Sequence, residues 1–281
     1  MLEEVFDPRP PAITDPAGAA VFASHEVISG DPAHGLVIVC DHARNALPPG
    51  YGTLGLPAGD FERHIAYDIG VEAVARGLCA RLGVPAVLAG FSRLIVDPNR
   101  GLDDPTLIMQ ISDGTIVPGN IGLTPVERER RIGLYYRPYH AAIDRLLDGA
   151  MAIGRPPAML SIHSFTPTWR GVKRPWHGGV LWNRDGRFAL PLIERLRRNA
   201  DLVIGDNEPY CGGLAGDTLD VHATGRGLAD ALIEIRQDLV SEKAGVAEWA
   251  DRLAALLPGI IDGLDAATAE ARGLTGVSHD G

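Results

Sequence analysis

Short apolar runs recur along the chain, and each stops at a polar or glycine-rich break. The run Leu36-Val37-Ile38-Val39-Cys40 is apolar at every position, as expected of a strand buried on both faces of a parallel sheet. Residues 86–89, 93–96, the run through Met159-Leu160-Ser161-Ile162-His163, 180–182, 202–205 and 231–235 read as further strands, with 21–23 a short edge strand. Between them the apolar spacing becomes helical. Ile65, Ile69, Val74 and Leu78 predict a helix from about Asp60 to Leu82, which puts His64 and Asp68, four apart, on one face. Thr124-Pro125-Val126-Glu127 has the form of a capping box with proline at the first helical position. The helix it starts is expected to break or kink at Pro138 and to resume over 139–147. Residues 190–199 and 246–264 complete the helices. Strands alternating with helices predict an α/β fold. One doubly wound domain accounts for the whole of 1–281, with 1–30 wrapping the surface and 273–281 a frayed tail. The stretch 101–125 is long for a loop in a compact domain, which marks it as functional or a lid.

Composition narrows the class. With 46% hydrophobic residues, a chain of this length builds a sizeable core. A net charge of −10 argues against nucleic acid or an anionic membrane surface as partner, and solubility alone accounts for its sign. The three cysteines, Cys40, Cys79 and Cys211, are far apart and form no CxxC pair, so a structural zinc ribbon is not expected and the chain reads as reduced and cytoplasmic. The first residues carry Glu3, Glu4 and Asp7 rather than a basic-then-apolar signal, and no apolar run approaches the roughly 20 residues that span a bilayer.

The candidate chemistry sits where apolar runs end. One run passes into Asp41-His42-Ala43-Arg44-Asn45, another reaches His163-Ser164, and a third carries Glu234 and Arg236. The carboxyl edge of an open α/β sheet is where such folds keep their sites. Two histidines and a glutamate there suggest a metal ion held by His42 and His163, with Glu234 as general base. The common H-x-x-E spacing would need Glu at 45, where this chain has Asn45, so Asp68 is the candidate third ligand. Arg93, Asn99 and Arg100 suit a carboxylate, with Asp97 orienting one of the arginines. Tyr210 is placed as a hydrogen-bond donor to substrate, with packing an equal alternative. Arg236 joins the substrate-binding set, the alternative being an ion pair with Glu234 two residues away on the same strand face. Arg170, Lys173 and Arg174 read as a solvated basic patch.

These pieces resemble the N-formylglutamate amidohydrolase family, and more closely its branch of predicted N-formylglutamate amidohydrolases. The matching segments are CDHARN at 40–45, RHIAYD at 63–68, SRLIVDPNR at 92–100, PYH at 138–140, SIHSFTP at 161–167, NEPYCGG at 207–213 and IEIRQDL at 233–239. The resemblance implies a zinc-exopeptidase-like (phosphorylase/hydrolase-like) fold: a three-layer α/β sandwich with a mixed, mostly parallel central sheet. It also implies zinc on His42 and His163, Glu234 as base, and Asn99 with Arg100 on a substrate carboxylate. The expected activity is metal-dependent hydrolysis of an N-acyl group, such as N-formyl, from an acidic amino acid such as glutamate. Two readings stay open beside it: a carboxypeptidase-like hydrolase of γ-glutamyl or small peptide amides, and a metal-free module binding a small ligand, which Asn45 favours.

Overall fold

The computed structural model describes residues 13–14 and 20–271. Seven strands make the central sheet: β1 (His25–Ile28), β2 (Leu36–Cys40), β3 (Ala86–Ala89), β4 (Ala158–Phe165), β5 (Gly178–Leu181), β6 (Ile204–Asp206) and β7 (Asp230–Arg236). Their spatial order is β6-β5-β7-β4-β2-β3-β1. Strands β7, β4, β2 and β3 run parallel, β1 and β5 run against their inner neighbours, and β6 follows β5. The helices are α1 (Val71–Leu82), α2 (Pro125–Arg131), α3 (Arg137–Ala152), α4 (Ala189–Arg197), α5 (Thr218–His222) and α6 (Lys243–Ala271). No described helix is long and apolar enough to cross a membrane.

The sheet divides the core by the two-residue period of its strands. Leu36, Ile38, Leu160, Ile162, Ile233 and Ile235 pack against α1, α4 and α6, around the buried Trp249. Val37, Val39, Met159 and Leu232 face the other way, against α3 and the segment from Phe91 to Ile108. This gives the expected three-layer sandwich with a mixed, mostly parallel sheet. The functional side chains lie on the second face.

Several local expectations are corrected. The helix expected from Asp60 begins at Val71, after a 3₁₀ turn at Ala58–Glu62 and a run of turns. Gly70 sets that boundary: its φ is +83°, and a β carbon there would lie 2.2 Å from the Val240 carbonyl oxygen. His64 and Asp68 therefore share no helix face. Residues 93–96 form no strand, because their backbone groups are taken locally. The Leu94 amide donates to Ser92 Oγ at 3.2 Å, Asn120 Nδ2 to the Leu94 carbonyl at 2.8 Å, and Arg131 to the Ile95 carbonyl at 3.1 Å. The edge strand is His25–Ile28 rather than 21–23. The kink expected at Pro138 is a π turn over Ile132–Tyr136, whose looser bonding accommodates the proline at the second position of α3 in a continuous helix. Thr124 does cap α2, accepting from the Glu127 amide at 3.2 Å. The expected tail and the first part of the wrapping segment lie outside the described residues.

Arg131 holds the 94–97 segment in place. It is 2% exposed, and its guanidinium donates to Asn120 Oδ1 at 2.6 Å as well as to the Ile95 carbonyl. Arg131→Met should cost about 3 kcal/mol in urea unfolding, since it strands a buried amide oxygen and a buried carbonyl. An unchanged unfolding midpoint would show that water serves those groups instead.

Candidate active site

Sheet register assembles the site. His163 on β4 stands opposite Glu234 on β7, and Glu234 stands opposite Gly179 on β5, so the three share one face. A β carbon at Gly179 would lie 1.8 Å from the Glu208 carbonyl oxygen, and one at Gly205 would lie 2.6 Å from Glu208 Cβ. The loop after β6 therefore lies directly on the bare backbone of β5 and β6, and it brings Tyr210 to the cavity. The cavity holds about 360 Å³ and is lined by His42, Asp68, His163 and Glu234, among others.

His42 follows the end of β2. The Asp68 amide donates to the His42 carbonyl at 2.9 Å, which pins the turn before α1 beside the strand end. The Asp68 carboxylate then meets both imidazoles: Oδ2 is 3.4 Å from His42 Nδ1 and 2.8 Å from His163 Nδ1. Potential ligand atoms of the three residues lie within 4.8 Å of one another, and all three residues are buried. Each outer ring nitrogen has its own carboxylate. His42 Nε2 is 2.7 Å from Asp97 Oδ1, and His163 Nε2 is 3.1 Å from Asp41 Oδ2.

The proton accounting of this arrangement is strict. With the ring N–H assigned to the outer nitrogen, toward the fully buried Asp97 or Asp41 behind it, each neutral imidazole presents a bare Nδ1 to Asp68. Two bare nitrogens and the Asp68 carboxylate then converge, an arrangement that a bound cation stabilises. Two imidazole nitrogens and one carboxylate oxygen are the donor set of a three-ligand catalytic zinc, so the residues fit the metal that the resemblance implies. With protons as the only cations, burial would lower His163, but Asp41 and Asp68 override it and raise the ring to about 10. Burial would likewise raise Asp41 and Asp68, yet His163 and His42 hold both well below the usual carboxylate range. Asp97 is held low by Arg93 and His42 against its burial.

The supporting carboxylates are themselves fixed. Asp41 accepts from Tyr139 at 2.9 Å, Thr218 Oγ1 at 2.6 Å and Ser161 Oγ at 3.1 Å. Asp97 accepts from Arg93 at 2.7 and 3.0 Å and from the Asn99 amide at 2.9 Å. Glu234 differs: it is 7% exposed, its Oε2 is buried without a partner, and burial pushes its pKa up to about 8.

Of the residues singled out in the sequence, His42, Asp68, His163, Glu234, Arg93, Asn99, Arg100 and Tyr210 all line the one cavity. Arg236 does not. The chain turns into a 3₁₀ turn at Gln237–Leu239, which brings Asp238 within 2.7 Å of its guanidinium, and a second bond runs to the Trp176 carbonyl at 3.2 Å. Arg236 is thus neither a cavity residue nor the partner of Glu234. Asn45 turns its amide to the Phe61 carbonyl at 2.8 Å. Arg174, expected in a solvated patch, lies over the rings of Phe165, Trp169 and Tyr210 and donates to the Tyr210 hydroxyl at 3.0 Å. The roles of Asp41, Tyr139 and Thr218 went unread, as did Asp217 and Asp230, which also line the cavity and which burial pushes up to about 6 and about 7. The position of Asp41 at the end of a buried run, and of Tyr139 inside the PYH segment, were the available signals.

A model of the family described as N-formylglutamate amidohydrolase matches residues 34–241. The crystal structure of the gene product Atu2144 from Agrobacterium tumefaciens matches with a TM-score of 0.80 and 33% identity, over 86% of this chain and 96% of that one. An N-formylglutamate amidohydrolase from Ralstonia eutropha JMP134 shares the fold, with a TM-score of 0.68 and 24% identity over 86% of this chain and 98% of its own. No curated protein matches the chain. The family match spans the segments that supply His42, Asp68, His163 and Glu234, and the chain belongs to the N-formylglutamate amidohydrolase family.

Proposed function

We propose that the chain is a metal-dependent amidohydrolase that removes an N-acyl group from an acidic amino acid, with N-formyl-L-glutamate the substrate to test first. The observation that carries this reading is the meeting of two imidazole Nδ1 atoms and a carboxylate beside an unpartnered, buried Glu234 Oε2. His42, His163 and Asp68 would hold zinc, which when bound polarises a carbonyl and makes water more acidic.

The remaining work falls to side chains. Glu234, with its proton affinity raised close to neutral, is suited to accept a proton from water and to return it to the leaving amine. Arg93 and Arg100 present positive charge to the cavity, and Asn99 stands beside them. They would orient a substrate carboxylate and stabilise negative charge developing on the amide oxygen. Arg93 is held in place by Asp97, so its fork does not have to be ordered when substrate arrives.

Glu234→Gln should lower kcat by about 100-fold or more with little change in KM, because the amide fills the space and accepts no proton. Near-normal turnover would remove Glu234 from the role. Treatment with a chelator should abolish formate release from N-formyl-L-glutamate, and added zinc should restore it. No release from protein carrying stoichiometric zinc would discard this substrate and keep the hydrolase. Asp41→Asn should weaken zinc binding by roughly 10- to 100-fold in competition with a chromophoric chelator. Unaltered affinity would mean that His163 needs no carboxylate behind it.

A further inference from the structure

A second pair of imidazoles lies behind the centre. His140 on α3 and His222 at the end of α5 meet edge to edge, their ring planes within 16° of parallel and their centroids 5.0 Å apart, and His140 Nδ1 is 2.7 Å from His222 Nε2. The pair makes a chain between two acceptors. His140 Nε2 is 3.0 Å from the Pro98 carbonyl, and His222 Nδ1 is 3.0 Å from Asp144 Oδ1. Pro98 sits between Asp97, which holds His42, and Asn99, which lines the cavity.

Three contacts need three protons, and two neutral imidazoles bring two. One contact therefore goes without whenever both rings are neutral. Burial and the second imidazole push His140 down to about 4, and burial lowers His222 as well, so the pair is neutral near pH 7. The groups acting on it are Asp41, Asp144 and Arg226, with the rings of Tyr136 and Tyr139 packed against His140.

The two ends are unequal. Asp144 has a side chain 46% exposed and a second donor in Arg226 at 2.5 Å. Pro98 is buried. Thr218 Oγ1 is 3.3 Å from it but 2.6 Å from Asp41, and its single proton goes to the closer, charged acceptor. The Pro98 carbonyl thus depends on His140. The end that yields is the Asp144 end: a bare His222 Nδ1 there faces a half-exposed carboxylate that Arg226 and solvent serve in its place, whereas the carbonyl of the buried Pro98 has no such substitute.

We propose that His140 is a positioning residue for the metal centre: its Nε2–H holds the Pro98 carbonyl, and His222, donating from its own Nε2 to His140 Nδ1, fixes the tautomer that keeps the proton there. The segment bearing Asp97 and Asn99 is thereby tied to α3 and α5. The significance of this tie rests on the metal-hydrolase reading, but the tautomer does not.

The test is the ¹⁵N spectrum of the full chain, zinc-loaded and labelled at histidine, at about pH 7, with His140→Gln and His222→Gln used for assignment. Both rings should show a protonated Nε2 and a bare Nδ1. A bare Nε2 on His140 overturns the proposal. Zinc affinity gives the second readout. His140→Leu should weaken zinc by about 10-fold, and His140→Gln, whose amide N–H replaces Nε2–H, should return it to within about threefold. Equal weakening in both variants at matched thermal stability would assign His140 to packing and overturn the role. If His140→Leu fails to fold, the ¹⁵N result decides alone. Absent turnover with the tautomers as stated would count against the hydrolase reading and leave the relay standing.

Discussion

Two buried carboxylates, each holding the outer nitrogen of an imidazole, are the constraint on which the site depends. Asp97 faces His42 and Asp41 faces His163. Each fixes a ring orientation, and a ring that donates outward to it turns a lone pair inward. Buried carboxylates are costly unless fully served, which explains the investment around them. Asp41 alone gathers a tyrosine, a threonine and a serine hydroxyl from three separate segments. Arg93 offsets the charge of Asp97 and lies 3.5 Å from Asp68. The fold around the centre is largely a means of satisfying these groups.

That requirement accounts for the layout of the sheet. Strands β2, β4 and β7 run parallel and side by side, so their ends deliver Asp41, His42, His163 and Glu234 to one region. Opposite faces of these strands have opposite tasks. Ile162 and Ile235 bury against helices, while His163 and Glu234, their neighbours in sequence, face the cavity. A one-residue slip in register would exchange the two sets, so the hydrophobic core on one side enforces the chemistry on the other.

Much of this was legible in the sequence, because unbroken apolar runs mark central strands and polar residues at their ends stand out. His42, His163 and Glu234 could be read that way. Asp68 was legible as a carboxylate but not as part of a turn. Ile65 and Ile69 mimic helical spacing, and only Gly70, pressed against Val240, shows why no helix forms there. Arg236 continues the two-residue period of Glu234, but Asp238 captures it once the strand ends. The pairing of Asp41 with His163 joins residues 122 positions apart and is set by strand register, which no local pattern encodes. His140 and His222 meet across 82 positions for a similar reason: two helices happen to converge behind the Pro98 carbonyl.

Gly179 and Gly205, paired across β5 and β6, leave a bare strip of backbone on which the loop bearing Tyr210 rests. That wall of the cavity is laid over the scaffold rather than woven into it. Exchanges of side chain or length within the loop can reshape what the cavity admits while the strand ladder and the ligands stay where they are. Change at the two glycines has no such freedom, since any larger residue lifts the whole wall. The shape of the cavity and the His42–Asp68–His163 cluster are therefore separately heritable in this architecture, and a lineage can explore new cavity shapes without first dismantling the cluster.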